Sequence, residues 1–410
     1  MQTTDTLVIG GGQAGIAMSE HLSKEGIEHI VLEKNRIAEA WRTRRWDSLV
    51  ANGPCWHDRF PSMLFEDDQE GFIHHDKVAD YFQKYAEHIN APVQIGVAVT
   101  KVTPLQGRQG YHVTTSEGEL EAKRIVVATG AFQVPSIPPI IPSTANVQQI
   151  HSDSYKNPEQ LPEGAVLVIG SGSSGVQIAK ELNAAGKKVY LSVGAHERPP
   201  RRYRGRDNVW WLGVLGGWDK EKPNDGPLKG FAVSGMNGGE TVDFRKLAHD
   251  GIHLLGLTKS FSGDTLTFND DLFENVNEAE QNYLALLDVA DKYVEDNGLD
   301  LPEEPAAREF LALPESIRNP SLSIDFSESN ITSVIWATGF KYDYSWLEVD
   351  VLDEVGRPLH NRGVTSATGI YFVGLPFLSG QGSSFIWGVW HDAGRIAEHI
   401  AIKKKYHEYS

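Results

Sequence analysis

Residues 6–34 read TLVIGGGQAGIAMSEHLSKEGIEHIVLEK, and this stretch decides the fold. A short apolar strand at 6–9 leads into glycines at G-x-G-x-x-G spacing, and helical apolar repeats over 16–25 lead into a second strand at 29–32. The first glycine permits a tight turn, the second lets a pyrophosphate approach bare backbone, and the third lets helix and strand pack closely. The stretch therefore predicts a βαβ unit whose helix N-terminus faces a dinucleotide phosphate.

An acid ends this unit at the place where a ribose is expected. Glu33 follows Gly15 by 18 residues, and a carboxylate at that position accepts hydrogen bonds from the ribose of an adenosine. We therefore expect the first dinucleotide site to be formed by Gly10, Gly12, Gln13, Ala14, Gly15, Glu33 and Lys34.

The pattern returns at residues 165–193, which read AVLVIGSGSSGVQIAKELNAAGKKVYLSV. No acid ends the second strand here, because Val193 stands 18 residues beyond Gly175 and arginines follow between 198 and 206. Losing the carboxylate removes repulsion toward a 2′-phosphate, and guanidinium groups bind phosphate in a bidentate manner. The second site is therefore predicted to prefer NADPH over NADH, unless the arginines form only a solvated basic loop. The residues expected there are Gly170, Gly172, Ser173, Ser174, Gly175, Arg198, Arg201 and Arg202.

The bulk composition narrows the class of protein. The 410 residues carry 38 basic and 55 acidic side chains, a net charge of −17, so nucleic acids and anionic membrane surfaces are not expected partners. Cys55 is the only cysteine, which excludes an internal disulfide and a CxxC redox or zinc pattern. Since the chain has no long apolar run and its first strand begins at residue 6, we expect a cytoplasmic protein. The sequence leaves open whether the protein forms a homo-oligomer.

Supporting elements are predicted between and after the two units. We expect a core-facing helix at 76–89, an antiparallel β-meander between 93 and 127, and an apolar strand before each of two Ala-Thr-Gly triplets. Residues 381–384 would present backbone N–H groups at the start of a helix, where they suit a developing negative charge on a bound ring. The further cofactor contacts expected from these segments are Ala128, Thr129, Gly130, Thr338, Gly339 and Gln381.

Two G-x-G-x-x-G units, each followed downstream by Ala-Thr-Gly, resemble the two-dinucleotide-binding-domain flavoproteins, and among them the flavin-containing monooxygenase family. The likeness covers nearly the whole chain and implies FAD at the first unit and NADPH at the second. It also implies that Trp41, Ser48 and Leu49 line the flavin ring and that Asn52 lies near its reactive face.

Part of that family's fingerprint, F-x-G-x-x-x-H-x-x-x-Y-K, is present. His151, Tyr155 and Lys156 match its second half, whereas Ala145 and Val147 replace the phenylalanine and glycine of its first half. Tyr155 also stands where Baeyer–Villiger relatives carry tryptophan, which favours oxygenation of a heteroatom.

The predicted fold is an α/β protein of two Rossmann-like three-layer dinucleotide-binding domains, the second inserted in the first, with a small antiparallel β-meander. Residues 1–160 and 325–410 are expected to form the FAD-binding domain, and residues 161–324 the NADPH-binding domain. Residues 205–324 include the patch NVWWLGVLGGW, a hairpin within 251–268 and a helix at 277–296. We expect this region to elaborate the second domain and cover the substrate entrance.

The resemblance implies an NADPH-dependent flavin monooxygenase that uses dioxygen to oxygenate a small soft nucleophile, an amine or a sulfide, through a hydroperoxyflavin protected by Asn52. A Baeyer–Villiger monooxygenase, another NAD(P)H:flavin oxidoreductase and a non-enzymatic flavin redox-sensing or binding module stay open as alternatives. No metal site is predicted, because the histidines lack ligand spacing, and Cys55 is expected to be a small buried hydrophobe.

Overall fold

A computed structural model describes residues 2–223 and 229–408, so residues 224–228 of the predicted elaboration lie outside the described residues. The strands are β1 (Gln2–Ile9), β2 (His29–Glu33), β3 (Val93–Ile95), β4 (Val99–Pro104), β5 (Tyr111–Thr115), β6 (Gly118–Val127), β7 (Val134–Pro135), β8 (Gln148–His151), β9 (Ala165–Ile169), β10 (Val189–Ser192), β11 (His196–Glu197), β12 (Arg202–Tyr203), β13 (Arg206–Asp207), β14 (Gly230–Phe231), β15 (His253–Leu255), β16 (Thr258–Ser262), β17 (Thr265–Phe268), β18 (Ser323–Asp325), β19 (Ile331–Trp336), β20 (Phe340–Lys341) and β21 (Ile370–Phe372).

The helices are α1 (Gln13–Lys24), α2 (Glu39–Thr43), α3 (His75–His88), α4 (Ser173–Ala184), α5 (Asn208–Val214), α6 (Phe244–His249), α7 (Leu272–Asp296), α8 (Glu315–Arg318) and α9 (Ile386–Glu408). Short 3-10 turns include Gly217–Asp219 and Gln381–Ser384. Within the described ranges, the helices are too short or too polar to cross a lipid bilayer.

The first sheet has the strand order β3-β2-β1-β6-β5-β4, and a seventh strand, β21, also pairs with β6. β1 runs parallel to β2 and β6, whereas β4, β5 and β6 form the antiparallel meander. The long strand β6 belongs to both parts, so the predicted meander continues the parallel sheet instead of standing apart from it. Leu7 and Val8 of β1 are fully buried, as is typical of a parallel strand covered on both faces.

The second sheet has the order β15-β10-β9-β19-β8, and its neighbouring strands run parallel. The expected boundaries, 1–160 with 325–410 against 161–324, need correction at two strands, because β8 and β19 pair within this second sheet. A continuous apolar strand such as β19 carries no sign in its sequence of the sheet in which it is buried. The chain returns to the first sheet at Leu347, which bridges to Val102 of β4, and then at β21, which pairs with β6.

The α/β architecture and the insertion of the second domain in the first are confirmed. Two elements of the elaboration also form where they are predicted: β16 and β17 make the hairpin, and α7 covers the expected helix but begins earlier, at Leu272. The tryptophan patch forms α5 and the start of the 3-10 turn Gly217–Asp219, and Trp211 is buried in one cluster with Tyr283 and Leu287 of α7. This elaboration positions the segments that cover the second site.

Candidate dinucleotide sites and the loop between them

The first glycine turn lies between β1 and α1, at the carboxyl end of the parallel strands. A Cβ added at Gly10 would lie 2.6 Å from the carbonyl oxygen of Ala128, and one at Gly15 would lie 1.8 Å from the carbonyl oxygen of Gly10. These contacts require glycine at both positions. A Cβ added at Gly12 meets no atom within 4 Å, so open space faces the first N–H groups of α1, which have no acceptor within the helix. This turn fits a pyrophosphate.

Glu33 lies beside this turn with its carboxylate held by two backbone donors. The N–H of Gly11 donates to Oε2 at 2.7 Å, and the N–H of Asn35 donates to Oε1 at 2.7 Å. Each carboxylate oxygen keeps a further lone pair, so the group can still accept hydrogen bonds from a ribose. The structure therefore brings Glu33 to the glycine turn as the first site requires, while the Lys34 side chain is exposed.

Gln13, at the start of α1, connects the glycine turn to two distant segments. Trp41 Nε1 donates to Gln13 Oε1 at 3.3 Å, and Gln13 Nε2 donates to the carbonyl oxygen of Ser384 at 2.9 Å. The predicted flavin-contacting segments around 41 and 381 thus meet at one residue. The sequence predicts that the Gln381 N–H faces a bound ring. In the structure this N–H donates to the carbonyl oxygen of Lys220 at 2.9 Å, so it is already engaged.

The second glycine turn repeats the packing of the first. A Cβ added at Gly170 would lie 2.4 Å from the carbonyl oxygen of Ala337, and one at Gly175 would lie 1.8 Å from the carbonyl oxygen of Gly170. Thr338 and Gly339 follow that alanine, and the Gly339 carbonyl accepts from His151 Nε2 at 2.9 Å. The two Ala-Thr-Gly triplets therefore hold equivalent places, each at the strand that supports a glycine turn.

A short segment of the chain covers the second turn, and we call residues 229–233 the strap. A Cβ added at Gly172 would lie 3.9 Å from the Gly230 Cα. Ser173 Oγ donates to the Phe231 carbonyl at 2.6 Å and accepts from the Val233 N–H at 3.2 Å. The face of the glycine turn that is open in the first site is therefore occupied in the second, and a pyrophosphate does not fit there in this conformation.

The arginines predicted for the second site are in different environments. Arg198 is 2 % exposed and lies over the rings of Tyr283 and Phe310, and burial lowers its pKa. Arg201 is 3 % exposed and forms an ion pair with Asp207. Both guanidinium groups are buried, so neither belongs to a solvated loop. Of the three predicted arginines, Arg202 is the exposed one.

Asn52 lies at the junction of the two domains. Its carbonyl oxygen accepts from Arg201 at 2.6 Å, and its Oδ1 accepts from Gln177 Nε2 at 2.9 Å. Gln177, 1 % exposed, also donates from Nε2 to the Val233 carbonyl at 2.8 Å. Since a carbonyl only accepts hydrogen bonds, the Gln177 atom that faces the Val233 carbonyl must be the nitrogen Nε2. Asn52 then offers Oδ1 to Gln177, and its Nδ2 donors stay available elsewhere.

The loop that precedes Asn52 is fastened to the second domain. Ser48 Oγ donates to Glu181 Oε1 at 2.6 Å, and the Tyr155 hydroxyl donates to Glu181 Oε2 at 2.7 Å. Lys156 Nζ donates to carbonyl oxygens of the same loop, and Leu49 is buried in the core of the second domain. The Tyr-Lys part of the fingerprint therefore holds this loop, while Ser48 and Leu49 direct their side chains to α4 and its core.

Sequence reasoning missed Gln177 and Glu181, although a signal was present. Ser173, Gln177 and Glu181 are spaced four residues apart on α4, so they lie on one face of the helix. That face carries the contacts to the strap, to Asn52 and to the loop at 48. A polar stripe on one face of a dinucleotide-binding helix indicates an interface with another segment.

Cys55 and two neighbouring histidines make local hydrogen bonds. The Cys55 thiol donates to the Gly71 carbonyl at 3.2 Å, and burial raises its pKa to about 11, so it is not an activated nucleophile. His74, His75 and Asp76 lie close together, but His74 Nε2 bonds the Asp47 carbonyl and His75 Nδ1 bonds the Trp41 carbonyl, both at 2.8 Å. Those ring nitrogens are used in holding the loop.

A cavity of about 260 Å³ opens beside the turn Gln381–Ser384. The indole of Trp218 covers it and stacks at 5.3 Å on the ring of His57, which also lies 5.9 Å from the ring of Trp387. Its walls are Trp218, Asp219, Ser379, Gly380, Gly382, Ser383, Trp387, Gly388, His391 and Asp392. The elaboration thus contributes an aromatic wall next to the segment predicted to face a cofactor ring.

Comparison with known proteins gives consistent matches. A family model described as pyridine nucleotide-disulphide oxidoreductase matches residues 7–206. An uncharacterized CzcO-like oxidoreductase from Geobacillus kaustophilus is 35% identical over 97% of this chain and 98% of its own length. Dimethylaniline monooxygenase (N-oxide-forming) 4 from Homo sapiens is 30% identical over 52% of this chain and 40% of its own length. A flavin-containing monooxygenase structure from Stenotrophomonas maltophilia shares the fold, with a TM-score of 0.68 and 17% identity over 98% of this chain and 99% of that chain.

Proposed function

Because the chain belongs to the flavin-containing monooxygenase-like family that includes the CzcO-like oxidoreductases, we propose that it oxygenates a small soft nucleophile, an amine or a sulfide, at the expense of NADPH and dioxygen. The family uses FAD and NADPH. When bound, these cofactors supply the redox and oxygen-activating chemistry, and the protein supplies binding, orientation and electrostatics.

The first glycine turn supports the FAD assignment. Gly12 leaves the helix N-terminus open to a pyrophosphate, and Glu33 is held where it can accept from a ribose. The second turn has no acid at the equivalent place, since Val193 directly follows β10. The presence of the acid at the first turn alone supports FAD at the first and NADPH at the second.

The observation that carries the proposal is the position of Asn52 between the two sites. Its backbone follows Ala51, which packs in the core of the first domain, and its side chain bonds Gln177 of the helix that begins the second site. The Nδ2 group is left as a donor that can stabilise negative charge on a reacting oxygen. An amine or a sulfide brings its own lone pair, so the site needs such a donor rather than a base that removes a proton.

The experiment follows the flavin absorbance of the FAD-loaded protein. NADPH added without oxygen should bleach the flavin, and admission of oxygen should restore its oxidised absorbance slowly, with a rate that rises when a small tertiary amine or thioether is present. Immediate reoxidation that ignores both substrates would indicate an oxidase or reductase. Failure of NADPH to reduce the flavin would leave the redox-sensing or binding module.

A further inference from the structure

The two glycine turns provide an internal comparison, because they differ at one face. In both turns the first glycine packs against the alanine of an Ala-Thr-Gly triplet, and the third glycine packs against the first. A Cβ added at Gly12 meets no atom within 4 Å, whereas a Cβ added at Gly230 of the strap would lie 3.3 Å from both the Cα and the N of Gly172. The second glycine of this motif is small so that a pyrophosphate can approach the backbone at that point. The strap therefore occupies the volume that the pyrophosphate needs.

We propose that the strap is a self-inhibitory element that a nicotinamide dinucleotide must displace from the second glycine turn in order to bind. The inference rests on the proposed use of NADPH but not on the identity of the oxygenated substrate. It predicts that the apparent affinity for the dinucleotide is lower than the intrinsic affinity by the fraction of molecules with the strap displaced.

The strap has one part that can move and one part that is anchored. Gly230 and Phe231 are half-buried, and they are held by the N–H of Gly230, which donates to the Ala195 carbonyl at 3.1 Å, and by the Ser173 hydroxyl. Ala232 is fully buried in the core of the second domain, and Val233 is also buried. Residues 229–231 can therefore lift while Ala232 stays in place, at the cost of a few hydrogen bonds.

Charges at the movable end are exposed and weakly held. Lys229 Nζ lies 2.7 Å from Glu278 Oε1 and 3.3 Å from Glu197 Oε1, and all three side chains are at least one-third exposed. Ion pairs of this kind contribute little to stability because water and salt screen them. These ion pairs help to position the strap but add little to the free energy needed to release it.

The Ser173 hydroxyl can donate its hydrogen bond either to the strap or to a phosphate. Its hydroxyl is on the first residue of α4, and its donor is now used by the neutral Phe231 carbonyl. A phosphate oxygen is a stronger acceptor than a neutral carbonyl, and the helix N-terminus favours an anion over an uncharged group. A dinucleotide can therefore take over this donor when the strap lifts.

The test uses hydrogen exchange and calorimetry on the FAD-loaded protein with NADP⁺, which leaves the flavin oxidised. On saturation, we expect faster amide exchange in peptides covering 229–233 and slower exchange in peptides covering 170–177. Gly230→Ala should tighten NADP⁺ binding about threefold to tenfold, because its Cβ would lie 3.3 Å from the Gly172 Cα and press the strap away. Gly213→Ala, whose Cβ meets no atom within 4 Å, is the control.

Ser173→Ala is a second variant in case Gly230→Ala fails to fold; faster exchange in its strap without NADP⁺ would support the proposal. NADP⁺ binding by Gly230→Ala alone, and not by the unaltered protein, would also support it. Binding with unchanged strap exchange and no effect of Gly230→Ala would overturn the strap proposal and leave the proposed function standing. Absence of NADP⁺ binding in both proteins would overturn the strap proposal together with the NADPH assignment.

Discussion

Gln177 Nε2 donates to Asn52 Oδ1 at 2.9 Å and to the Val233 carbonyl at 2.8 Å, so one buried amide joins the loop of the first domain to the strap of the second. This arrangement fixes the orientation of the Asn52 side chain. It also means that Asn52 and the anchored end of the strap, at Val233, are joined through a single side chain.

Asn52→Ala should keep NADPH oxidation but release hydrogen peroxide in place of oxygenated product, because the donor that stabilises charge on the reacting oxygen is lost. Removing one such donor typically costs about 100-fold to 1000-fold in the step that it assists. The measurement is the ratio of peroxide to NADPH consumed. Asn183→Ala, which removes a half-buried amide of α4 that bonds the Asp250 carbonyl, is the matched control. Unchanged coupling in Asn52→Ala would remove Asn52 from the reaction.

Gln177→Met should raise peroxide release to a level between those of the unaltered protein and Asn52→Ala. Methionine keeps the volume of the side chain but removes the donor to Asn52 and Val233, at a cost of about 1–3 kcal/mol in unfolding free energy. The decisive measurement is the double variant with Asn52→Ala. If Gln177 acts through Asn52, the double variant uncouples no more than Asn52→Ala alone. Additive uncoupling would show that Gln177 acts independently.

Glu33→Ala should weaken FAD binding roughly tenfold to a hundredfold, since hydrogen bonds to a charged group contribute about 1.5–3 kcal/mol. The measurement is the dissociation constant of FAD from the apoprotein by flavin fluorescence. Glu28→Ala, an exposed acid just before β2, should leave that constant unchanged. NADP⁺ affinity of the FAD-loaded Glu33→Ala variant should stay the same. A loss of NADP⁺ binding with intact FAD binding would reverse the assignment of the two sites.

His196 should make stability depend on pH in the acidic range. Burial lowers the pKa of His196 to about 4, and its Nε2 has no partner among the described residues. Between the unfolded pKa, about 6.5, and the folded value, the unfolded chain takes up a proton that the folded protein refuses. Stability therefore falls as pH falls through this window, by up to about 1.4 kcal/mol per pH unit.

His196→Phe should flatten this dependence. The comparison is the free energy of unfolding by urea at pH 7 and pH 5 for both proteins, because other buried histidines such as His29 also have lowered pKa values. Phenylalanine can keep the ring packing against Phe244, whose centroid lies 4.0 Å from that of His196. Equal slopes in the two proteins would show that His196 is protonated without penalty in the folded state.

Local features were predictable from the sequence. The glycine turns, the strands that precede them and Glu33 are fixed by short-range geometry, so spacing alone places them together. The same holds for α3 and for the hairpin of β16 and β17, where apolar periodicity is strong.

Non-local contacts were not predictable. The arginine run indicated a phosphate site, but Asp207 pairs with Arg201 and aromatic rings surround Arg198, which depends on how β13 and α7 pack. The strap reaches the second glycine turn from residues about 60 positions away in the chain, and no periodicity marks it. The sheet membership of β8 and β19 likewise depends on pairing partners that an apolar strand does not specify.

The most direct test of the account is the fate of isotopically labelled dioxygen. FAD-loaded protein with NADPH and a thioether or tertiary amine should place one labelled atom in the sulfoxide or N-oxide, with product formed in proportion to the NADPH consumed. Mass spectrometry of the product reads this directly. Consumption of NADPH with all of the label recovered in hydrogen peroxide, at every amine and thioether tested, would contradict the proposed oxygenation.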